Sequence, residues 1–564
     1  MCGLIFQLRT GSQQIISSSE APTKLETLIQ ARGPDGFQIV QRTISTPHST
    51  ISLTFSASVL ALRGSSIVPQ PLVDVDTTSL LMWNGEAWKI HGQVIAENDT
   101  QCVFEALLQA LAHCGDETLR ACIIRDVLTS VTGPFAFCFY DAPSKEVYYG
   151  RDLLGRRSLV MSKTSNGDLC VASVSDANPE SKWEEVATGG IYKINLAEAG
   201  ENTVLEELFV PWLPTAKGFY SSLNRDMNIP SDSSPSQTTM SELESKLQDS
   251  VSLRTTATAT WLKSTNSLNH FAVLFSGGVD CTLLAYMLDR ALPAEQTIDL
   301  LNVAFENPRV VAAASKQNSK KPVLHTVNSD NAYDSCPDRK TGLSSYNELC
   351  RICPNRKWQF VAINIPYTVT TAYTSLVASL MYPHSTEMDL SISLALFFAS
   401  RGTGEIRGLP RPKQYATQAK VLFSGLGADE LFAGYTRHTK AFTHSGLQGL
   451  LDELDLDFKR LGQRNLGRDD RVVSYWGREI RYPYLDEDFT AWALQKPIWE
   501  KCGFARGSKN EDASLGPDKL TLRMVAARLG LKTAAAEKKR AIQFGARTAK
   551  MTIGRTKGTD SIVI

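Results

Sequence analysis

The sequence FAVLFSGGVDC, residues 271–281, passes from an apolar run through two glycines to an acidic residue. The run Phe271–Phe275 predicts a buried strand, and the apolar segment Thr282–Leu292 predicts a helix that Pro293 would end. Glycines allow backbone amides to approach phosphate oxygens closely, and the N-terminus of a helix adds a favourable dipole. The stretch therefore predicts a phosphate-binding loop at the end of a strand.

A second glycine-containing loop follows another strand candidate further along the chain. The apolar run Val421–Phe423 leads directly into SGLGADELFAGY, residues 424–435. The run Leu301–Phe305 is a further candidate for a buried strand. Because these strands alternate with helical patterns, the second half of the chain predicts a parallel α/β sheet.

A change in composition divides the chain. Residues 221–239 are rich in Ser, Asn, Asp and Pro, which is typical of a linker between domains. Ser241 and Glu244 have the spacing of a capping box, so a helix is expected to begin there. Upstream, Phe135–Tyr140 and Glu146–Tyr149 are strand candidates on either side of a turn.

The length supports this division, because 564 residues exceed the roughly 250–300 residues that a single core can organise. We expect a first domain at residues 2–215, a serine-rich linker at 216–239 and a second domain at 240–564.

The first domain begins with a cysteine that removal of Met1 would leave at the terminus. A terminal cysteine carries its own base, because its α-amine titrates near roughly 7.7–8.0 and can accept the thiol proton. Cys2 could instead be a small buried residue, and position two alone does not decide between these interpretations. The motifs that follow it favour a nucleophile.

Those motifs contain the groups that hydrolysis of a glutamine amide requires. The reaction needs a cation for the glutamine carboxylate, an acid for its ammonium group and donors for the oxyanion. Arg63 can provide the cation, Asp99 the acid, and Asn84 with Gly85 the donors. Each motif could also be an ordinary loop, but six occur in order: CG, RGPDG, NGE, DT, GPFAF and RDLLGRRSL.

In this order the motifs resemble the class II, N-terminal-nucleophile glutamine amidotransferases over residues 2–160. The resemblance implies an α-β-β-α sandwich with Cys2 as nucleophile and Asn84 and Gly85 as the oxyanion hole. It implies that Arg63 binds the glutamine carboxylate and that Glu86 and Asp99 bind the amino group. The segment that follows Arg63, Gly-Ser-Ser, departs from the family's Leu-Ser-Ile.

The second half resembles the ATP pyrophosphatases of the asparagine synthetase type. Residues 276–281 resemble the loop SGGxDS, residues 424–435 resemble SGEGADELFGGY, and residues 538–545 resemble RPKKAAQYG. The resemblance implies that ATP and pyrophosphate contact both loops, through Ser276, Gly277, Gly278, Asp280, Cys281, Ser424 and Gly425. It also implies that Asp280 and Asp429 hold Mg²⁺ and that Lys539, or Lys538 if the register shifts by one, stabilises the adenylation transition state. Cys281 replaces the usual serine, and a thiol is a weaker donor than a hydroxyl.

Two further segments, CPDR at residues 336–339 and LCRICP at residues 349–354, fit a narrower group. Over nearly its whole length the chain resembles the eukaryotic asparagine synthetase domain-containing protein 1 family. Leu426 stands where asparagine synthetases carry a glutamate of the ammonia step, and leucine can neither accept a proton nor bind ammonium. Three functions therefore stay open: asparagine synthesis from glutamine, aspartate and ATP, amidation of another carboxylate, or a binding or regulatory homologue. Cys336, Cys350 and Cys353 are either a zinc site completed by His325 or His384 or, more simply, buried thiols.

Composition restricts the partners. Lys and Arg together number 59, as do Asp and Glu, so the net charge is zero and gives no electrostatic case for nucleic acid or an anionic membrane. We expect small-molecule substrates only, and no pattern indicates an oligomeric state. Eleven scattered cysteines and no recognisable targeting segment predict a reducing, cytoplasmic location.

Overall fold

The structure is a computed structural model. It describes residues 2–10, 22–45, 50–64, 66–165, 167–178, 180–197, 206–213, 222–230, 234–262, 270–312, 329–408, 411–504, 515–551 and 557–562. No helix in these ranges combines the length and the apolar character that crossing a membrane requires.

Two antiparallel six-stranded sheets form the first domain. Across the first sheet the strands are β13 (Trp183–Glu185), β11 (Val160–Lys163), β12 (Leu169–Ala172), β1 (Gly3–Thr10), β3 (Thr50–Val59) and β2 (Gly36–Ser45). Across the second they are β15 (Glu207–Pro211), β14 (Gly190–Asn195), β10 (Glu146–Arg151), β9 (Phe135–Asp141), β5 (Leu80–Gly85) and β4 (Leu72–Val73). A small third sheet contains β6 (Lys89–Ile90), β7 (Gln93–Val94) and β8 (Val131–Thr132).

The two large sheets pack face to face because their strands alternate in polarity. Leu4, Phe6 and Leu8 on β1 enter the core between the sheets, whereas Ile5 faces the opposite side, where helix Lys24–Arg32 packs. Helices Asp99–Ala112 and Arg120–Thr129 cover the outer face of the second sheet, around Trp83 and Phe137. The predicted α-β-β-α sandwich is confirmed.

A seven-stranded sheet organises the second domain. Its order is β20 (Lys413–Ala416), β19 (Thr403–Arg407), β18 (Trp358–Ile365), β17 (Ile298–Phe305), β16 (Phe271–Leu274), β21 (Val421–Phe423) and β22 (Glu479–Arg481). The pairs from β18 to β22 are parallel, while β19 and β20 add antiparallel pairs at one edge. The predicted parallel α/β sheet is therefore confirmed, and both glycine loops lie at the carboxyl ends of neighbouring strands.

Helices surround this sheet on both faces. They are Gln237–Leu262, Val279–Ala291, Ser329–Asp334, Pro337–Ile352, Tyr367–Met381, Glu387–Arg401, Ala428–Leu431, Thr436–Lys459, Leu461–Arg464, Leu466–Ser474, Glu487–Gln495, Leu520–Arg528, Lys532–Ala536 and Ile542–Gly545. The expected start at Ser241 is wrong. The helix begins at Gln237 because the hydroxyl of Ser236 accepts the Thr239 amide at 3.1 Å.

The predicted linker is only partly described, because residues 214–221 and 231–233 lie outside the described ranges. Within it, the Asn224 amide donates to the Leu494 carbonyl at 2.8 Å, and the helix that starts at Gln237 takes in its last three residues. The domain boundaries themselves stay a prediction.

Buried ion pairs join the two domains. Arg32 lies 2.7 Å from Asp470, and Glu185 of β13 lies 2.7 Å from Arg471. One apolar core also includes side chains from both domains, among them Ile29 and Val472. Because the junction is buried and charge-paired, it fixes the first domain's sheet against the second domain.

Candidate functional site

Cys2 directly precedes β1 and lies in a pocket of the first domain. The pocket is lined by Cys2, Val59, Leu60, Ala61, Leu62, Arg63, Ser66, Val68, Gln70, Gly85, Glu86, Asn98, Asp99, Thr100 and Glu479. Burial raises the pKa of the Cys2 thiol, and the carboxylates of Asp99 and Glu479 act in the same direction. The predicted residues Cys2, Arg63, Glu86 and Asp99 therefore meet in one cavity.

The side chain of Gln70 connects the thiol to the pocket wall. Its amide nitrogen lies 3.7 Å from Cys2 Sγ and 3.3 Å from Thr100 Oγ1, while its oxygen accepts the Trp83 amide at 2.7 Å. With its carbonyl held by β5, the Gln70 amide group must point its nitrogen toward Cys2. The sequence offered no motif for this contact.

Asn84 and Gly85 close β5 beside the cavity. Both polar atoms of the Asn84 amide are buried without a hydrogen-bond partner, and a bound oxyanion could accept a hydrogen bond from its Nδ2. A Cβ at Gly85 would lie 2.7 Å from the Pro134 carbonyl, so only glycine fits there. Gly85 lines the pocket around Cys2, whereas Asn84 is not among its lining residues, and the oxyanion hole stays a prediction.

Asp99 is positioned as an acceptor rather than as an exposed charge. Its Oδ2 accepts the Trp83 indole N–H at 3.2 Å and the Ala87 amide at 2.9 Å. Arg63 donates to the carbonyls of Ala87 and Ile95, which orients its guanidinium along the same wall. Its Nε is buried without a partner and remains available to a ligand.

Glu86 is reached from the second domain. Arg481 of β22 lies 3.2 Å from Glu86 and 2.6 Å from Glu479, which itself lines the pocket. Burial and Glu479 raise the pKa of Glu86 to about 7, against the opposing charges of Arg481 and Arg63. The pocket around Cys2 is thus completed by residues of both domains.

The phosphate loop of the second domain has the backbone that its glycines predict. Gly277 has φ +83°, and a Cβ there would lie 2.5 Å from the Gly342 amide nitrogen. Ser345 donates to the Gly277 carbonyl at 2.7 Å, which fixes the loop to helix Pro337–Ile352. The second loop touches the first, because a Cβ at Gly425 would lie 2.9 Å from Cβ of Asp280.

Asp280 and Asp429 meet at a buried lysine. Lys519 Nζ lies 2.6 Å from Asp280 and 2.7 Å from Asp429, and Lys539 forms an ion pair with the other Asp429 oxygen. Burial alone would raise the pKa of Asp429, but the two lysines outweigh it and hold that pKa well below its usual range. Gly434 permits this packing, since a Cβ there would lie 2.0 Å from Asp429 Oδ1.

A divalent cation fits this pair of loops. Asp280 Oδ1 is buried without a hydrogen-bond partner, which leaves one hard oxygen for a metal. Among the described residues no group of three or more His, Cys, Asp or Glu could hold a metal alone. Two carboxylates that share an ion with substrate phosphates match the chemistry that Mg²⁺ prefers.

One short segment connects the two centres. Glu479 lines the pocket around Cys2, Arg481 contacts Glu86, and the Tyr484 hydroxyl donates to the Asp280 carbonyl at 3.1 Å. Residues 479–484 therefore extend from the cysteine pocket to the phosphate loop.

The family models match the same two regions. A glutamine amidotransferase domain matches residues 1–202, and an asparagine synthase model matches residues 412–452. Asparagine synthetase domain-containing protein 1 of Gallus gallus is 33% identical over 99% of this chain and 98% of its own length. The chain belongs to the asparagine synthetase domain-containing protein 1 family.

A more distant relative agrees with this assignment. The glutamine-hydrolysing asparagine synthetase B of Escherichia coli is 22% identical over 90% of this chain and 78% of its own length. Among solved structures, glutamine phosphoribosylpyrophosphate amidotransferase of B. subtilis covers 57% of this chain and 71% of its own, at 14% identity and a TM-score of 0.26. That structural likeness is too weak to carry an argument.

Two positions that depart from synthetase motifs have structural explanations. The Cys281 thiol donates to the Gly278 carbonyl at 3.3 Å and lies 3.6 Å from Ser276 Oγ, so it supports the loop from inside. Leu426 packs against the apolar core that spans both domains. Of the Gly-Ser-Ser segment after Arg63, Ser65 lies outside the described residues, while Ser66 lines the pocket.

The cysteines do not converge on a metal in the described part of the chain. Cys336 donates to the Gly545 carbonyl at 2.8 Å, Cys350 hydrogen bonds with Tyr346, and Cys353 with Asp289. His384 faces Glu185 at 3.5 Å, and His325 lies outside the described residues. These contacts support the simpler interpretation of buried thiols.

Lys519, Gln70, Glu479 and Arg481 were missed as site residues. No motif surrounds Lys519. Its position in DKLTL, just before the first leucines of a helix, is only a weak signal for a buried cation. Only the fold places Arg481 against Glu86.

Proposed function

We propose that this chain is a glutamine- and ATP-dependent amidotransferase that forms asparagine from aspartate. The observation that carries the proposal is the convergence of Asp280 and Asp429, from separate loops, on Lys519. Such a cluster suits a leaving pyrophosphate, because it combines backbone donors, cations and carboxylates for a metal.

In the first domain, the Cys2 thiolate would attack the amide carbon of glutamine. Asn84 and the Gly85 amide would stabilise the oxyanion, and ammonia would leave with the thiol proton. Water would then hydrolyse the thioester and release glutamate. Arg63 would hold the substrate carboxylate, and Glu86 with Asp99 its ammonium group.

In the second domain, a carboxylate oxygen of the acceptor would attack the α-phosphorus of ATP, and pyrophosphate would leave. Ser276, Gly277, Gly278, Ser424 and Gly425 would contact the phosphates. Asp280 and Asp429 would hold Mg²⁺, which neutralises phosphate charge when bound. Lys539 would stabilise charge on the α-phosphate during transfer.

Ammonia from the first site would then attack the acyl carbon of the adenylate, and AMP would leave. A direct passage would prevent loss of ammonia and hydrolysis of the adenylate. The segment 479–484, which contacts both centres, supports such a route. The substrates are small molecules, and the eleven unpaired cysteines support a reducing, cytoplasmic setting.

A second candidate is the same chemistry with another carboxylate acceptor. Leu426 favours it, because a core leucine cannot perform the acid–base role of the synthetase glutamate. A third candidate, a binding homologue without synthesis, rests on the general rule that fold does not secure activity.

The test supplies purified protein with glutamine, ATP, Mg²⁺ and aspartate, and measures glutamate, pyrophosphate and asparagine separately. The proposal expects all three products. Glutamate without pyrophosphate would mean that the protein acts only as a glutaminase. Pyrophosphate only with another acceptor would select the second candidate. No product at all would select the third.

A further inference from the structure

Cys2 is joined to the rest of the chain by a peptide that is held on both sides. The Gly3 amide of this peptide donates to Ser58 Oγ at 3.0 Å, and the Ser58 hydroxyl donates to the Ile29 carbonyl. On the other side, Arg32 Nε donates to the Cys2 carbonyl at 3.4 Å. In the proposed enzyme Cys2 is the terminal residue, so this single peptide sets the direction of its amine and its thiol.

Both of these contacts lead to the same short helix. Ile29 and Arg32 lie in its last turn, and Gly33 follows it close to β3, where a Cβ would lie 2.5 Å from the Val59 amide nitrogen. Because the backbone is closely packed there, the contact with the Cys2 carbonyl depends on where the long Arg32 side chain is held.

Arg32 is held by a carboxylate of the second domain. Arg32 Nη2 lies 2.7 Å from Asp470 Oδ2, and neither residue is more than 1% exposed. The Ser158 amide donates to the same oxygen at 3.1 Å, and Arg157 lies 3.9 Å from the other oxygen. A charge-assisted hydrogen bond in so buried a place is strong and directional, so Asp470 determines the orientation of Arg32.

Asp470 belongs to a helix that lies tightly against the first domain. It is part of helix Leu466–Ser474, where the next residue, Arg471, lies 2.7 Å from Glu185 of β13. A Cβ at Gly467, one turn earlier, would lie 2.8 Å from Glu185 Oε2. The Asp470 carboxylate is therefore presented to the first domain from a firmly packed backbone.

We propose that Asp470 is a positioning residue for the Cys2 nucleophile. Its carboxylate holds Arg32 against the Cys2 carbonyl and so orients the amine and the thiol toward the pocket. Asp470 is not among the described residues that line that pocket, so its effect on Cys2 passes through Arg32. The inference rests on the glutaminase step of the proposed function and makes that step depend on a residue of the second domain.

Asp470 and Arg481 act on different parts of this step. Arg481 contacts Glu86, which is assigned to the ammonium group of glutamine, so its loss changes substrate binding. The described contacts of Asp470 lead to the nucleophile and to none of the groups assigned to glutamine. Loss of Asp470 should therefore lower kcat and leave the KM for glutamine nearly unchanged.

The alternative is that Asp470 only stabilises the domain junction. Glu185 offers a matched comparison, because it belongs to the same junction and pairs with Arg471 at 2.7 Å. Its other ionic partners are Arg151 and His384 rather than Arg32. If the carboxylates only hold the domains together, variants at the two positions should affect glutamine hydrolysis alike.

The experiment measures glutamate release by the full chain against glutamine concentration, with ATP, Mg²⁺ and aspartate present. Asp470→Asn keeps the shape of the side chain and removes its charge, and kcat is expected to fall at least about tenfold, the value of one charge-assisted contact. The KM for glutamine should stay within about twofold of the wild type. Glu185→Gln is the control and should keep the kcat of the wild type.

Arg32→Lys is the second variant, and it decides if Asp470→Asn does not fold. A lysine keeps a cation opposite Asp470 but has no planar fork with which to donate to the Cys2 carbonyl as well. It should lower kcat as Asp470→Asn does. If both variants fold, their combination should lose no more kcat than either one alone, because they break one chain of contacts.

An unchanged kcat in Asp470→Asn or in Arg32→Lys would overturn the inference, and so would losses that add in the double variant. Equal losses in Asp470→Asn and Glu185→Gln would show that Asp470 only supports the junction. A loss that comes entirely from a higher KM for glutamine would place Asp470 in substrate binding instead. Failure of both variants to fold would also overturn the inference, since these contacts would then serve the fold itself.

Pyrophosphate measured in the same samples separates this inference from the proposed function. Glutamate release that depends on Asp470, without pyrophosphate, would end the proposed function and leave the inference. All three products from the wild type, with an unchanged kcat in Asp470→Asn, would do the reverse. No glutamate from the wild type would end both.

Discussion

The ammonium group of Lys519 lies 2.6 Å from the Asp280 carboxylate, although 239 residues separate them in sequence. Lys519 also reaches Asp429, and it is almost fully buried. Burial would lower the pKa of Lys519, but the two aspartates raise it above its usual value. The lysine is thus a fixed charge that keeps two carboxylates together.

Lys519→Met should break this cluster. Removal of one partner from a buried ion pair leaves uncompensated charge, so we expect a loss of about 3–5 kcal/mol in the free energy of unfolding. Pyrophosphate release should disappear, while glutamine hydrolysis continues in protein that remains folded. Urea unfolding and the two product assays measure this, and exposed Lys532→Met is the control. Unchanged stability would contradict the assignment of Lys519 as a buried charge.

Cys2→Ala should abolish glutamine use and preserve synthesis with free ammonia. The thiol is the only nucleophile assigned to the first centre, whereas the second centre needs only ammonia. Asparagine formed from either nitrogen source is the measurement, with Cys122→Ala, on helix Arg120–Thr129, as control. If ammonia also fails in a folded variant, the two-centre scheme is wrong.

Gly277→Ala should destabilise the phosphate loop. An L-residue at φ +83° costs about 1–2 kcal/mol, and the new Cβ would lie 2.5 Å from backbone of Gly342. The neighbouring Gly278 has φ −67°, and a Cβ there would only make ordinary contact with Ser276 Oγ at 3.6 Å, so Gly278→Ala should keep or slightly raise stability. Melting temperatures of both variants test the contrast, and equal losses would refute it.

The local parts of this architecture could be predicted from the sequence. Strands such as Val421–Phe423 and the loop after Phe275 depend on short apolar runs and glycines, which act over a few residues. The helix start was misplaced because two serines compete as caps, and Ser236, rather than Ser241, accepts the amide. Local patterns therefore predict the presence of a helix or strand more reliably than the residue at which it begins.

Contacts between distant segments could not be predicted in this way. Lys519 contacts Asp280, Arg481 contacts Glu86, and the Gln70 amide contacts Cys2. None of these contacts follows from a periodic sequence pattern. The free energy of a buried charge depends on partners brought by the whole fold, and a sequence pattern does not reveal them. Motifs therefore located both loops but not the lysine between their aspartates.

Arg481→Gln, a substitution in the second domain, should weaken glutamine binding in the first domain. Arg481 opposes the rise in the pKa of Glu86, so its loss should raise that pKa above about 7 and protonate Glu86 at neutral pH. The KM for glutamine should then rise, and should partly recover as the pH is increased. A double-mutant cycle with Glu86→Gln measures the coupling, expected at about 0.5–3 kcal/mol. Additive effects on the KM would show that the contact does not act on glutamine.

Asp338→Asn should change how stability depends on pH. Burial raises the pKa of Asp338 from 3.8 to about 7, so the folded state holds this proton more strongly than the unfolded state does. The resulting stability is fully present below the unfolded pKa and is lost as the pH rises through about 7. An asparagine has no proton to lose, and the variant should therefore gain stability over the wild type across this window, by at most about 4 kcal/mol. Urea midpoints for both proteins below and above the window measure the difference. Parallel pH profiles would mean that the pKa of Asp338 is not raised in the folded protein.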